Sequence, residues 1–519
     1  MNPLHQFATL LAPEDSVAVA RKPIAAGTEL DGPSGRVIAR APIPPGHKLA
    51  LRDLPAGAPV LKYGEYIGTA SRPIAAGDHV HSHNLAAGEI PPRSQEHAAT
   101  EGRPAGAAEG VGTERRFQGF SRAKGRAGTR NYIAVISSVN CSASVSRYVA
   151  EAFRGEALRR DFPTVDGVLA FTHKGGCAMD PGEPTQVLQR VLAGIARHPN
   201  IGGWLMIGLG CEVNQASALL SSQGLDRAGS CGEGTPAVLN IQQAGGVRRT
   251  VEAGIAAVRR LLPVAAAHRR TPQPLSQLAL AMNCGGSDGH SGCTANPALG
   301  VASDLLVAHG GTSVLAETPE IYGAEHLLAR RAVSPAVRDR LLAQVRWWED
   351  HVRLHGTTID NNPSFGNRQG GLTTIYEKSL GAIAKGGRAP LQAVYGYAEP
   401  VTAQGFCFMD TPGYDPVSMT GLVAGGCNVA VFTTGRGSVY GCKPTPCLKV
   451  ASNTPLYLHQ QEDMDQNAGS ILEGTATVES VGRELFEKIL AAASGEPTRS
   501  ELAGLGDEEF APWALGPTL

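Results

Sequence analysis

Along the first 92 residues, apolar positions come in short runs separated by turn residues. SVAVARKPI, GRVIARAPI, HKLALRDL, PVLKYGEYIG and TASRPI are divided by AAGTE, PPGHK, PAGAP and AAGDH. Strand–turn spacing of this kind predicts a small all-β module over 1–92. Three of the turns share a pattern, PIAAGTE, PIPPGHK and PIAAGDH, which points to internal similarity among the hairpins. Residues 93–113 are rich in Pro, Gly, Ala and charge and read as a linker. After the linker the pattern changes. Apolar runs end in small or reactive residues and helical periodicity follows: NYIAVISSVNCSAS leads into VSRYVAEAF, and VDGVLAFTHKGGC into EPTQVLQRVLAGIARH. Strands alternating with helices predict mostly parallel sheets. A Pro-rich break, TPQPLS, divides this part into two Rossmann-like α/β lobes, 114–270 and 275–493. An acidic, loop-like tail covers 494–519.

Bulk properties narrow the function. The chain has 519 residues, more than one ordinary core holds, which agrees with several domains. Its 46 basic and 47 acidic residues nearly cancel, and no basic tract tracks a phosphate backbone, so nucleic acid is not an expected partner. No apolar stretch reaches membrane-spanning length, and the first 20 residues lack the cationic start and apolar run of a signal peptide. Ten cysteines, too sparse for a disulfide scaffold, suggest reduced thiols in the cytoplasm. The 64 glycines imply many tight turns and close backbone approaches.

In open α/β sheets ligands bind beyond the carboxyl ends of the strands. Here those ends hold Asn140-Cys141, His173 to Cys177, Cys211-Glu212, Asn283-Cys284 with Asp288, Glu317 and Glu320, Glu399, and Arg436. Any one cysteine alone reads first as a small buried hydrophobe. Thiols, imidazole and carboxylates recurring together at many strand tips favour a metal or an acid/base site. No C-x-x-C pair occurs, which disfavours a structural zinc site, while an iron–sulfur cluster built from distant cysteines stays open. In the segment Asp78 to Asn84, strand alternation would place His79, His81 and His83 on one face, suited to a transition metal or equally to a solvated edge strand. Gly285-Gly286 and Gly435-Arg436-Gly437-Ser438 offer backbone N–H groups and a guanidinium for a carboxylate. Neither a dinucleotide fingerprint nor a P-loop is present.

Longer motifs then carry a resemblance: GRAGTRNYIAV with VNCS, HKGGCAMDPGE, GLGCE, NCGGSDGHSGCTANPALG, AETPEIYGAE, IDNNPSFGNRQGGLTTIYEKSLGAI, MDTPGYDPVSMTG, FTTGRGSVYGCKPTPCLK and EDMDQNAGSILEG. From about residue 14 to 490 the chain resembles the altronate/galactarate dehydratase family, which includes the two-subunit sulfolactate sulfo-lyases. The N-terminal part resembles that family's SAF-type β-clip domain, ending in HVHSHNL. Departures are Gly176-Cys177-Ala178 where the family usually reads Gly-Cys-Gly, Cys293 in place of an aliphatic residue, Cys447 in place of serine, and His290 at a variable position.

The resemblance implies a hydro-lyase that turns a polyhydroxy acid into a 2-keto-3-deoxy acid with a divalent metal, Fe²⁺ foremost and Mn²⁺ as the alternative. A metal spreads the charge left by loss of the C2 proton, and an acid protonates the departing 3-hydroxyl. As metal ligands we take His81, His83, Cys141, Cys211, Cys284 and Glu317. His173, Asp288 and Lys443 are the acid/base candidates, and Asn140, Ser287, Thr434 and Arg436 the substrate-binding ones. A homo-oligomer, a dimer, is expected, with a small sugar acid as the partner. The alternatives are a sulfo-lyase acting on a hydroxysulfonate, a non-catalytic sugar-acid-binding protein, and a nicotinamide oxidoreductase.

Overall fold

The recurring N-terminal turns are where the β module is pinned. Ile24, Ile43 and Ile74 are buried, and each is followed three residues later by a glycine, Gly27, Gly46 and Gly77, at φ +80°, +80° and +89°. A side chain there would strain the left-handed backbone. Ile24 bridges Ile43, and Leu54 bridges Ile74, so the repeated turns face one another in pairs. The computed structural model describes residues 2–33, 35–88, 115–123, 125–225 and 238–515; the expected linker over 93–113 lies outside them. Strands β1 (Val17–Ala20), β2 (Lys48–Ala50), β3 (Pro59–Lys62), β4 (Glu65–Ala70) and β5 (His79–Val80) make up most of two small antiparallel sheets. The strand expected across 78–84 stops after Val80. Asn84 accepts from the His81 N–H (2.9 Å) and donates to the His79 carbonyl (3.0 Å). A side chain that bonds its own backbone in this way favours a turn over a ladder.

The second domain is a four-stranded parallel sheet in the order β7 (Gly167–Phe171), β6 (Tyr132–Ser137), β8 (Ile201–Gly208), β9 (Val238–Asn240). Every residue of β6 and β8 is buried, as expected where helices cover both faces of a parallel sheet. Helices α1 (Ala143–Glu151), α2 (Glu183–Arg197) and α3 (Val247–Ala267) supply that cover. The TPQPLS segment is more than a break: Arg270–Pro274 pairs antiparallel with Arg116–Phe120.

The third domain is a seven-stranded parallel sheet. Its order is β12 (Leu391–Tyr395), β13 (Gly405–Met409), β11 (Thr312–Leu315), β10 (Ala279–Cys284), β14 (Val429–Thr434), β15 (Cys447–Ala451), β16 (Gln466–Asn467). The chain runs outward from β10 on one side and returns to fill the other, so the order reverses between β10 and β14. Helices α4 (Ala295–Ala308), α5 (Ile375–Ile383), α6 (Asp415–Ala424) and α7 (Val478–Ala493) complete the domain.

Two of the contacts among the described residues show how the parts are joined. Helices α2 and α6 approach so closely at Gly194 that a Cβ there would lie 2.2 Å from the Ala424 carbonyl oxygen. The β module is held by a buried charge triad. Lys48 and Lys62 both reach Glu377 on α5 at 2.8 Å, and all three side chains are fully buried. Glu377 also accepts from the Thr373 N–H and hydroxyl. Burial works against its charge, but the two ammonium groups win and hold its carboxyl far below the ordinary range. The tail is only partly loop-like: Trp513 is buried and stacks on Trp348 at 5.5 Å. Among the described residues no helix is long and apolar enough to cross a membrane.

Candidate active site

The reversal of strand order makes a crevice beyond β10 and β14, the position where open α/β sheets receive ligands. A cavity of about 430 Å³ opens there and has the size of a small-molecule site. Its floor is Cys284, the last residue of β10, followed by Gly285 and Gly286. A Cβ on Gly285 would collide with Asp415 Oδ2 at 2.3 Å, so glycine is what lets the Asp415 carboxyl reach the floor. The walls are Glu320, Lys378 and Asp415, with Asn362, Ser364, Asn367 and Tyr414 above them.

Cys284, Glu317 and Glu320 bring one ligand atom each to within 4.8 Å of one another, all buried. Glu317 follows β11 at φ +74°, an unusual backbone conformation for a glutamate, and it turns the carboxyl inward. Lys385 donates to Cys284 Sγ at 2.8 Å and stands 3.7 Å from Glu317. Lys378 pairs with Glu320 and donates to Asn362 Oδ1 at 2.7 Å. These lysines are seven residues apart, so the helix of α5 and its 3₁₀ extension aims both at one spot.

The charges are unequal in a way that bears on metal binding. Burial is countered at Glu320 by Lys378 and Lys385, which keep its carboxyl ionised. At Glu317 burial wins, reinforced by Glu320, and the carboxyl is pushed well above its usual value. Both Glu317 oxygens are buried without a hydrogen-bond partner. Such orphaned acceptors are costly in a protein interior, and a divalent cation beside Cys284 and Glu320 would satisfy them. Burial likewise pushes the Cys284 thiol up to about 12; a bound cation reverses that preference. The donor set therefore fits a divalent metal. Asp415 is pushed up to about 7, by burial first and Glu320 second.

Of the residues read from the sequence, Cys284 and Glu317 meet in this cluster. Glu320 is among the strand-tip residues but not among the chosen ligands, and Lys378, Lys385 and Asp415 were not singled out at all. Two lysines at a seven-residue spacing, flanking the apolar run LGAIA in YEKSLGAIAK, were the available signal. Thr434 and Ser287 flank the crevice. The Thr434 hydroxyl accepts from the Gly437 N–H at 3.0 Å, the Ser287 carbonyl accepts from Asn367 at 2.9 Å, and Arg436 stands exposed. Asp288 is saturated, accepting from Ser291, Ser452, Asn453 and the His290 N–H. Burial opposes its charge, yet His290 and these hydroxyls keep its carboxyl below the ordinary range.

Other candidates stand elsewhere. Lys443 pairs with Asp507 at 2.7 Å and lines a separate cavity with Arg130 and Arg154. His173 belongs to the second domain. Its Nε2 bonds the Ser137 carbonyl at 2.9 Å and its Nδ1 accepts from the Gly175 N–H at 3.2 Å, while burial lowers it to about 4. Asn140, Cys141 and Cys211 lie at exposed tips of that same domain. His81 and His83 group with His79 and His47, ring centroids 5.0 to 5.5 Å apart. His47 Nε2 and His81 Nε2 contact the Gln369 and Arg368 carbonyls. His47 and His81 thus dock the β module on the short helix Phe365–Gln369, whose Asn367 lines the cavity, and none of the four histidines lines it.

A β module set against two parallel α/β domains, with thiol, carboxylate and ammonium groups gathered at an open cavity at the switch point, makes this crevice the candidate active site, of a kind suited to a lyase rather than to nucleotide binding. The chain belongs to the D-galactarate/altronate dehydratase family. Residues 7–88 match the altronate/galactarate dehydratase SAF domain, residues 119–266 the D-galactarate dehydratase/altronate hydrolase second domain, and residues 275–518 the D-galactarate/altronate dehydratase C-terminal domain. It is 33% identical to an altronate dehydratase of Bacillus subtilis (strain 168), over 94% of this chain and 95% of that one. It is 36% identical to an altronate dehydratase of Escherichia coli (strain K12), over 94% and 95%. It is 38% identical to a galactarate dehydratase (L-threo-forming) of the same organism, over 90% and 89%.

Proposed function

We propose that this chain is a hydro-lyase that dehydrates a sugar acid of the altronate or galactarate type to a 2-keto-3-deoxy acid. The observation that carries the reading is the convergence of Cys284, Glu317 and Glu320, with Lys385 bonded to the thiol, at the floor of a cavity that Cys284, Glu320, Lys378 and Asp415 line at the strand-order reversal. Full-length similarity to two dehydratases of hexonic and hexaric acids supports the substrate class.

Cys284, Glu317 and Glu320 would hold the divalent metal, which we take as Fe²⁺ with Mn²⁺ as the alternative; sulfur beside carboxylate suits a transition metal better than magnesium. When bound, such an ion lowers the cost of negative charge on a substrate oxygen. The protein's own groups do the rest. Lys378, fully buried and still charged because Glu320 opposes the burial penalty, offers an ammonium for a substrate carboxylate. Asn362, Ser364 and Asn367 present hydrogen-bonding groups to the hydroxyls along the chain of the acid. Asp415 is the carboxyl that exchanges a proton with the substrate: it takes the C2 proton and returns it to the departing 3-hydroxyl, which leaves as water. The residual enol then tautomerises to the ketone.

The test is to load the full chain anaerobically with Fe²⁺ or Mn²⁺ and incubate it with altronate, galactarate and related acids. A 2-keto-3-deoxy acid should form without any nicotinamide. Dependence on added NAD, or sulfite release from sulfolactate with no dehydration, would replace this reading.

A further inference from the structure

Three cysteines of the second domain stand outside the site just described. Cys141 follows β6, Cys177 follows β7 and Cys211 follows β8, and the sheet order β7-β6-β8 makes these three neighbouring parallel tips. Their loops are tied to one another. The Asn140 N–H donates to the Gly175 carbonyl (2.9 Å), the Val213 N–H to the Cys177 carbonyl (3.1 Å), and the Asn214 N–H to the Gly176 carbonyl (3.0 Å). The sulfurs therefore share one surface. Desolvation, then Cys177 through charge and hydrogen bonding, then Cys211 through charge, push the Cys141 thiol up.

All three are exposed, whereas all six cysteines of the third domain are buried. Free cysteine is ordinarily buried, because exposed it gains nothing from packing and is open to oxidation. Other ligand types at these tips are already engaged. Glu212 is turned inward onto the Ser138 hydroxyl and the Leu209 and Gly210 N–H groups. The His173 ring is bonded at both nitrogens. Among the described residues the converging donors are thus sulfur alone, three in number. Structural zinc is held by four protein ligands in a closed site, whereas all-thiolate sets also hold iron–sulfur clusters. Gln242 Nε2 donates to Cys211 Sγ at 3.3 Å, the sort of N–H···S contact that tunes such clusters.

We propose that Cys141, Cys177 and Cys211 are the protein ligands of an iron–sulfur cluster at the strand tips of the second domain, distinct from the carboxylate–thiol site of the third. Each thiol releases its proton to solvent as its sulfur binds iron. The open, exposed face leaves one iron of a four-iron cluster without a protein ligand.

The test uses the full chain, reconstituted anaerobically with ferrous and ferric iron and sulfide, which supply the mixed-valent iron of the cluster. Iron and acid-labile sulfide are measured beside visible absorption and electron paramagnetic resonance after reduction, so no turnover is needed. We expect about four labile sulfide and about five iron per chain, four in the cluster and one at the Cys284 site. Labile sulfide should vanish in the Cys141→Ser/Cys177→Ser/Cys211→Ser triple variant and persist in Cys284→Ser. Cys177→Ser alone, an exposed single change, should lower it several-fold while the thermal melt is kept. Iron without sulfide in the native chain, zinc in its place, or sulfide that survives the triple substitution overturns the proposal.

Discussion

In the third domain Cys284 ends its strand beneath a lid of charge, sealed beside Glu317, Glu320 and Lys385, and burial holds its thiol near 12. In the second domain Cys141, Cys177 and Cys211 end neighbouring parallel strands in the open, and Cys177 and Cys211 both act on the Cys141 thiol. The topology is the same in both places, and the difference lies in what the following segments bring. After β11 and α5 come carboxylates and lysines; after β6, β7 and β8 come glycines and short turns. A strand tip fixes where a thiol stands. The neighbouring loops decide whether it is one donor in a hard, charged, buried set or part of a soft, accessible one.

The largest effect expected is on the buried set. Glu317→Gln keeps the shape but removes the orphaned carboxylate, so bound metal should fall and kcat drop by at least ~100-fold, the scale of losing one transition-state contact. Metal analysis beside steady-state kinetics checks this; full metal and full rate would remove Glu317 from the metal site. Asp415→Asn should lower kcat by about 100-fold or more, the usual contribution of a proton-transfer group. KM and metal content should move little, which separates a proton-exchanging group from a ligand.

The next effect is on stability. Glu377→Ala leaves Lys48 and Lys62 buried without a counter-charge, which costs on the order of 3–5 kcal/mol and should loosen the β module. Because the Glu377 carboxyl is held below its unfolded value, its contribution is present above about pH 4.5 and is lost as pH falls below that. Denaturant titration at pH 7 and at pH 4 should show the variant's deficit shrinking at the lower value. A deficit that stayed constant would mean that packing, not charge, joins the parts. The smallest effect belongs to the exposed thiols. Without iron, Cys141→Ser or Cys211→Ser should shift the melting temperature by no more than about 2 °C, as for a surface change.

Much of this was legible in the chain. Alternation and turn residues mark the β module, because a half-exposed strand must repeat every two residues. Fully buried runs such as IGGWLMIG mark central parallel strands, because both faces are covered. Motif order identifies the family, and Cys284 and Glu317 were visible as reactive residues at apolar run ends. The strand expected from His79 to His83 failed because Asn84 bonds its own backbone.

What the sequence determined by itself is therefore the set of elements, their class and the residue types at strand tips, all of which depend on neighbours along the chain. Which tips meet was decided only by the tertiary structure. Strand order places β10 beside β11 and β14, and β6 between β7 and β8. That order reflects which buried faces fit together, a property of pairs of segments well separated along the chain. The sorting of the nine described cysteines into buried and exposed places, and the aiming of Lys378, Lys385 and Asp415 at Glu317 and Glu320, follow from that packing. Burial and nearby charge, which set the chemistry of these groups, exist only once the chain has closed.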